Sequence, residues 1–171
     1  MDRVVIGANG GMRFNAARII AHGDCCEPLH GRDFYVQATL TGRLGETGRV
    51  IDFRTVGTVL TRFCAAYTGR ILAPLRNSAL VVERDGDMWH IVHPSRRWSL
   101  PACDVLALEV VNPTNEVLAA LLLDDVRRAL RDDPEAGVLA HLEVTVGDAE
   151  GIALHSEPWD VAHTAHIAHA S

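Results

Sequence analysis

Hydrophobic and polar positions alternate most clearly in Phe34-Tyr35-Val36-Gln37-Ala38-Thr39-Leu40, where Phe34, Val36, Ala38 and Leu40 share one face. A period of two predicts a half-buried strand. The segment from Met12 to Ala21 reads as an earlier strand that pairs with it antiparallel. Gly42 to Gly48 is a polar, glycine-rich loop. Beyond Val50-Ile51-Asp52-Phe53 the spacing becomes helical, with Val56, Leu60, Phe63, Cys64 and Tyr67 on one stripe and Gly69 near the end. Ala79 to Glu83 and Met88 to His93 read as two strands joined by an Asp85-Gly86 turn. A basic loop with Arg96, Arg97 and Trp98 follows, then an apolar run from Val105 to Val111.

Asn112-Pro113-Thr114-Asn115-Glu116 opens a second helix, with Thr114 as its cap and Glu116 complementing its dipole. Its stripe is Leu118, Leu122, Val126, Ala129 and Leu130, and Asp132-Asp133-Pro134 ends it. Leu142, Val144 and Val146 alternate with polar neighbours in another strand, and Gly151 to His155 is a short last strand. The segment 158–171 carries His163, His166 and His169 and reads as a mobile tail. The predicted order is strand, strand, helix, hairpin, helix, strand, strand. It describes one α+β domain over 1–171, with two helices on one face of an antiparallel sheet.

Composition narrows the function classes. The 171 residues carry a net charge of -6, which argues against a nucleic-acid partner because phosphate binding needs a basic surface. No apolar run approaches the roughly 20 residues of a membrane helix. The first residues lack the apolar core of a signal peptide, which predicts a cytoplasmic protein. Cys25, Cys26, Cys64 and Cys103 show neither a disulfide framework nor CxxC spacing, so reduced thiols are expected.

Four stretches carry a family resemblance: Phe14-Asn15-Ala16-Ala17-Arg18, Cys26-Glu27-Pro28-Leu29-His30-Gly31-Arg32, Gly48-Arg49-Val50-Ile51-Asp52-Phe53 and Asn112-Pro113-Thr114-Asn115-Glu116-Val117. In this order they resemble the motifs F-x-A-A-H, C-x-x-L-H-G-H, G-x-(V/I)-x-D-F and N-P-T-x-E of the 6-pyruvoyltetrahydropterin synthase and 6-carboxytetrahydropterin synthase family. The resemblance implies the tunnelling fold, a four-stranded antiparallel sheet with two helices, assembled as a homo-oligomer with sites between subunits. Residues 78–111 have no counterpart in short members and read as an inserted hairpin.

The departures bear on chemistry. The resemblance implies three zinc-ligating histidines, but the matching positions are Arg18, His30 and Arg32. Arginine stays protonated and does not ligate a metal. The family's cysteine maps to Cys26. Its Asp-His pair falls near Thr68-Gly69-Arg70, where neither residue stands, and its pterin-anchoring glutamate falls near Val146. Two readings of the arginines stand. Either they clamp an anion with His30 between them, or the site has decayed and they pair with Asp24, Glu27 or Asp33.

The expected function is that of a divergent pterin-binding protein or enzyme of folate-like or tetrahydromethanopterin-type biosynthesis. In this reading Arg18, Arg32, Thr114 and Glu116 bind the substrate. Cys26, its thiol activated by the arginines, and His30 move protons. No cofactor is expected. The alternatives are a zinc lyase with relocated ligands from His22, His30 and His90 or His93, and a non-catalytic subunit. The expected partner is a pterin or a phosphorylated pterin precursor.

Overall fold

The computed structural model describes residues 1–160. Strands β1 (Asp2–Ile6), β2 (Met12–Arg18), β3 (Ala21–His22), β4 (Cys25–Cys26) and β5 (Gly31–Gly42) precede helix α1 (Phe53–Tyr67). Five strands follow, β6 (Arg70–Pro74), β7 (Val81–Asp85), β8 (Met88–His93), β9 (Arg96–Pro101) and β10 (Val105–Leu108). The chain then runs through α2 (Asn115–Leu130), β11 (Leu139–Gly147) and β12 (Ile152–Pro158).

The main sheet has the order β10-β6-β2-β5-β11-β12, and β1 pairs with β5 beyond β2. The long β5 organises it. One edge pairs with β2 through Phe14 opposite Phe34, and with β1 through Val4 opposite Leu40. Its other edge pairs with β11. The expectation of four antiparallel strands is therefore corrected to a seven-stranded mixed sheet, because β6 pairs in parallel with both β2 and β10. β6 is missed by alternation because Leu72, Ala73 and Pro74 are all buried, and a strand covered on both faces has no polar phase. The strand read from Met12 to Ala21 breaks after Arg18.

Both helices lie on one face of the sheet. Asp52 caps α1 by accepting from Arg54 N at 2.9 Å, and Thr114 caps α2 by accepting from Val117 N. The α1 stripe is buried at all five expected positions. In α2 Ala129 is exposed, and Ala119 and Leu123 are buried. These stripes enclose Phe34, Val36, Leu40, Leu142 and Val144 from the sheet in the larger core.

Between β6 and β10 the chain folds as a three-stranded meander, β7-β8-β9. The basic loop expected at Arg96 to Trp98 is thus a strand. Arg96 and Arg97 open it and hide the alternation that turns Trp98 and Leu100 inward. The meander covers a second core containing Ile19, Ala21, Cys26, Leu80, Ile91 and Val105. Among the described residues no helix is long and apolar enough to cross a membrane. His163, His166 and His169 lie outside the described residues.

A buried amide clamp joins these parts. Asn112 Oδ1 accepts from Ala21 N and its Nδ2 donates to Ala21 O, both at 3.0 Å, while Asn77 Nδ2 lies 2.9 Å from the same oxygen. Asn112→Ala leaves the Ala21 N–H buried without its acceptor. It is expected to lower the unfolding free energy by about 1–3 kcal/mol, the cost of an unsatisfied buried group. Guanidinium denaturation measures this, and a change under about 0.5 kcal/mol would mean that the clamp carries no stability.

Candidate functional site: an ion-paired cavity at the start of the second helix

Strand periodicity delivers the site. The phase that buries Phe14 and Ala16 on β2 carries Arg18 to the same face at the strand's end. The phase that buries Phe34 and Val36 on β5 carries Arg32 there, with Ala16 as its cross-strand neighbour. Arg18 Cζ sits 5.4 Å from the centroid of the Phe34 ring. The N-terminus of α2 and the turn between β11 and β12 close over this end of the sheet, because α2 packs on both strands. A cavity of about 220 Å³ results, lined by Arg18, Thr114, Asn115, Glu116, Asp148 and Glu150.

Both guanidiniums are shielded, with side chains 10% exposed for Arg18 and 12% for Arg32. Arg18 Nη1 donates to Asn115 Oδ1 at 2.7 Å and Nη2 to Asp148 Oδ2 at 3.4 Å. Arg32 Nη1 is 2.6 Å from Glu150 Oε1 and 3.8 Å from Asp148 Oδ2. The partners expected at Asp24, Glu27 or Asp33 are replaced by Asp148 and Glu150, with Glu27 a more distant negative neighbour. The arginines are ion-paired, and the cavity lining sets Arg18 against three carboxylates, Glu116, Asp148 and Glu150. The Nε atoms of both arginines are buried and have no hydrogen-bond partner among the described residues.

Asp148 is the residue that sequence reasoning missed. Its side chain is 2% exposed, and its Oδ1 accepts from Glu150 N at 2.9 Å and Gly151 N at 3.0 Å. Burial pushes its carboxyl up, but these backbone donors and Arg18 outweigh burial and hold it below the usual carboxylate range. Gly147 before it leaves room for Tyr35, since a Cβ there would stand 2.5 Å from Cζ and Oη of that side chain and would have to displace it. Val146, where the resemblance places an anchoring glutamate, is fully buried in the core, so the carboxylate enters two residues later. The signal available in the sequence was Gly147-Asp148-Ala149-Glu150-Gly151, a pattern in which an aspartate caps its own turn.

The other expected residues divide. Thr114 and Glu116 line the cavity. Glu116 is held low by its own backbone N–H and then by the Thr114 hydroxyl. Cys26 is not in the cavity. It is buried under the meander, and burial pushes its thiol up, opposed by Arg96 rather than by Arg18 or Arg32. Its activation by the two site arginines is therefore corrected. His30 is exposed, and its Nδ1 lies 2.7 Å from Pro28 O. It sits near Glu150, whose carboxyl is held low first by Arg32 and more weakly by His30.

The three family positions do not fit a zinc ion, because two carry guanidiniums already engaged by acceptors and His30 alone is a donor. The relocated set is not brought together. His90 Nδ1 meets Ser99 Oγ at 2.9 Å, and His93 Nε2 donates to Gly23 O at 3.0 Å inside the meander. Among the described residues no three His, Cys, Asp or Glu side chains converge on a metal position.

Comparison with known proteins agrees with this frame. The family model described as 6-pyruvoyl tetrahydropterin synthase matches residues 10–153. A Methanocaldococcus jannaschii protein provisionally named 6-carboxy-5,6,7,8-tetrahydropterin synthase is 24% identical over 127 residues, covering 74% of this chain and 78% of that one. The crystal structure of 6-pyruvoyl tetrahydropterin synthase from Plasmodium vivax superposes with a TM-score of 0.85 at 20% identity, covering 92% of this chain and 98% of that one. The Plasmodium falciparum enzyme gives a TM-score of 0.83 at 19% identity, with the same coverage. The four motifs in order, the two capped helices on one face of the sheet and these matches lead to one assignment: the chain belongs to the 6-pyruvoyl tetrahydropterin synthase family and has its α+β tunnelling fold.

Proposed function

We propose that the protein binds a pterin with an acidic substituent, or a phosphorylated pterin precursor, in the cavity at the start of α2. It serves pterin biosynthesis in the cytoplasm without a resident zinc ion. The observation that carries this reading is the two-signed lining of the cavity. Arg18, whose buried Nε has no hydrogen-bond partner among the described residues, shares the lining with the carboxylates of Asp148 and Glu116. The amino-pyrimidinone edge of a pterin offers N–H donors that carboxylates accept, and an acidic side group suits a guanidinium. Thr114 and Glu116 lie at the helix N-terminus, where the same ligand gains from backbone donors.

Proton transfer in this reading falls to His30 at the rim, not to Cys26 in its separate core. The cavity is smaller than the roughly 300 Å³ at which small-molecule pockets begin. A second copy of the chain completes its wall in a homo-oligomer, which light scattering tests.

The arginine arm is tested by Arg18→Ala with Arg32→Ala, titrated by fluorescence with 6-carboxypterin. Charged hydrogen bonds contribute about 1.5–3 kcal/mol each, so a loss of roughly 100-fold or more in affinity is expected. Arg18→Lys keeps the charge while losing the fork, so it is expected to fold and to bind with intermediate affinity. Unchanged binding by the double variant overturns the arginine arm. Stoichiometric zinc in untagged protein overturns the zinc-free reading.

A further inference from the structure

We infer that Glu150 is an internal competitor for the anion position: its carboxylate occupies Arg32 until the acidic group of a ligand displaces it. This rests on the anion-binding reading above and goes further, assigning a regulatory role to a residue that touches no core.

The two carboxylates that pair with the arginines are not equivalent. Asp148 is 2% exposed and tied by two backbone N–H groups, so it cannot leave without dismantling its turn. The Glu150 side chain is 68% exposed, yet its Oε1 lies 2.6 Å from Arg32 Nη1. Its backbone is pinned, because Glu150 N donates to Asp148 Oδ1. Its Cα therefore stays in place while the side chain is free to swing on its own torsions.

Glu150 lines the cavity and Arg32 does not. The carboxylate thus stands between the cavity and an arginine whose side chain is 12% exposed, with an Nε lacking any acceptor among the described residues. A bidentate anion would offer what one Glu150 oxygen does not, a second acceptor in the plane of the guanidinium. The exchange is isoelectric, carboxylate for anion, so Arg32 never stands uncompensated in its shielded position. Partly exposed ion pairs are weak, which makes this contact cheap to break and suits a displaceable stand-in.

The test is calorimetric titration with inorganic phosphate. Glu150→Gln is an exposed change and should leave the fold intact. It is expected to tighten phosphate binding by about 2- to 5-fold, the upper part of the range that a partly exposed ion pair represents. Glu27→Gln removes a nearby charge that makes no contact with either arginine, and should shift affinity by less than twofold. The gain from Glu150→Gln should vanish in an Arg32→Gln background, because the contested position is gone. Equal affinities for wild type and Glu150→Gln, equal gains in Glu27→Gln and Glu150→Gln, or a gain that persists without Arg32 would each overturn the competitor role. In those cases wild-type phosphate binding would leave the anion reading standing. If neither wild type nor Glu150→Gln binds phosphate, both fall.

Discussion

Asp148→Ala is expected to lower the unfolding free energy by about 3–5 kcal/mol, the usual cost of removing one member of a buried charge cluster. The reason lies in what remains. Arg18 and Arg32 are both shielded, and Asp148 Oδ2 is the acceptor they share. Without it Arg18 keeps Asn115, and Arg32 keeps only the exposed Glu150. The turn also loses the oxygen that accepts from Glu150 N and Gly151 N. Asp148→Asn keeps that oxygen but replaces the charged acceptor that faces the arginines by an NH2 donor, so it should recover only the turn's share of the loss and lie between wild type and Asp148→Ala.

The pH dependence separates the two contributions. The folded carboxyl lies below its unfolded value near 4. Its stabilisation is therefore complete above that unfolded value and is lost as pH falls through the folded value. The wild-type and Asp148→Asn stability curves should differ at pH 7 and converge in acid. Urea denaturation at pH 7 and in the acid range measures this. A loss under about 1 kcal/mol for Asp148→Ala, or curves that stay parallel, would show that the cluster contributes little to folding.

The cluster also explains how much of the site was legible before the fold was known. Arg18, Arg32, Thr114 and Glu116 could be read locally, since each sits in a short motif whose register with its strand or helix follows from period alone. The two helices were legible for the same reason, with Asp52 and Thr114 as caps and the α1 stripe buried at every expected position. The turn around Asp148 left a local signal, but its pairing with Arg18 was not legible, because it spans 130 residues and depends on the turn closing over α2. Cys26 was misread because its surroundings come from the meander, and a two-residue strand announces nothing about what will cover it. β6 and β9 failed for opposite reasons. One is buried on both faces, and the other begins with two charged residues that mask its inward pair. Contacts set by local period were visible, and contacts set by chain crossings were not.

That same division places the largest packing effect directly beneath the site. Phe34→Ala is expected to cost about 3–5 kcal/mol in stability, the range for deleting a buried aromatic ring. Phe34 stacks on Phe14 with centroids 4.7 Å apart, and Phe14 in turn meets Phe63 and Tyr67, so the ring holds one end of an aromatic row. It also lies below the guanidinium of Arg18, which lines the cavity. A guanidinium over an aromatic face gains about 0.5–2 kcal/mol, and that gain vanishes when the ring does.

Phe34→Leu separates the two roles. It fills most of the space, so its stability loss should be smaller than that of Phe34→Ala, yet it removes the π face. If the ring positions Arg18, the leucine variant should bind phosphate several-fold more weakly than wild type while still unfolding cooperatively in guanidinium. If it binds phosphate as wild type does, Phe34 is a core residue only, and Arg18 is held in place by Asn115 and Asp148 alone.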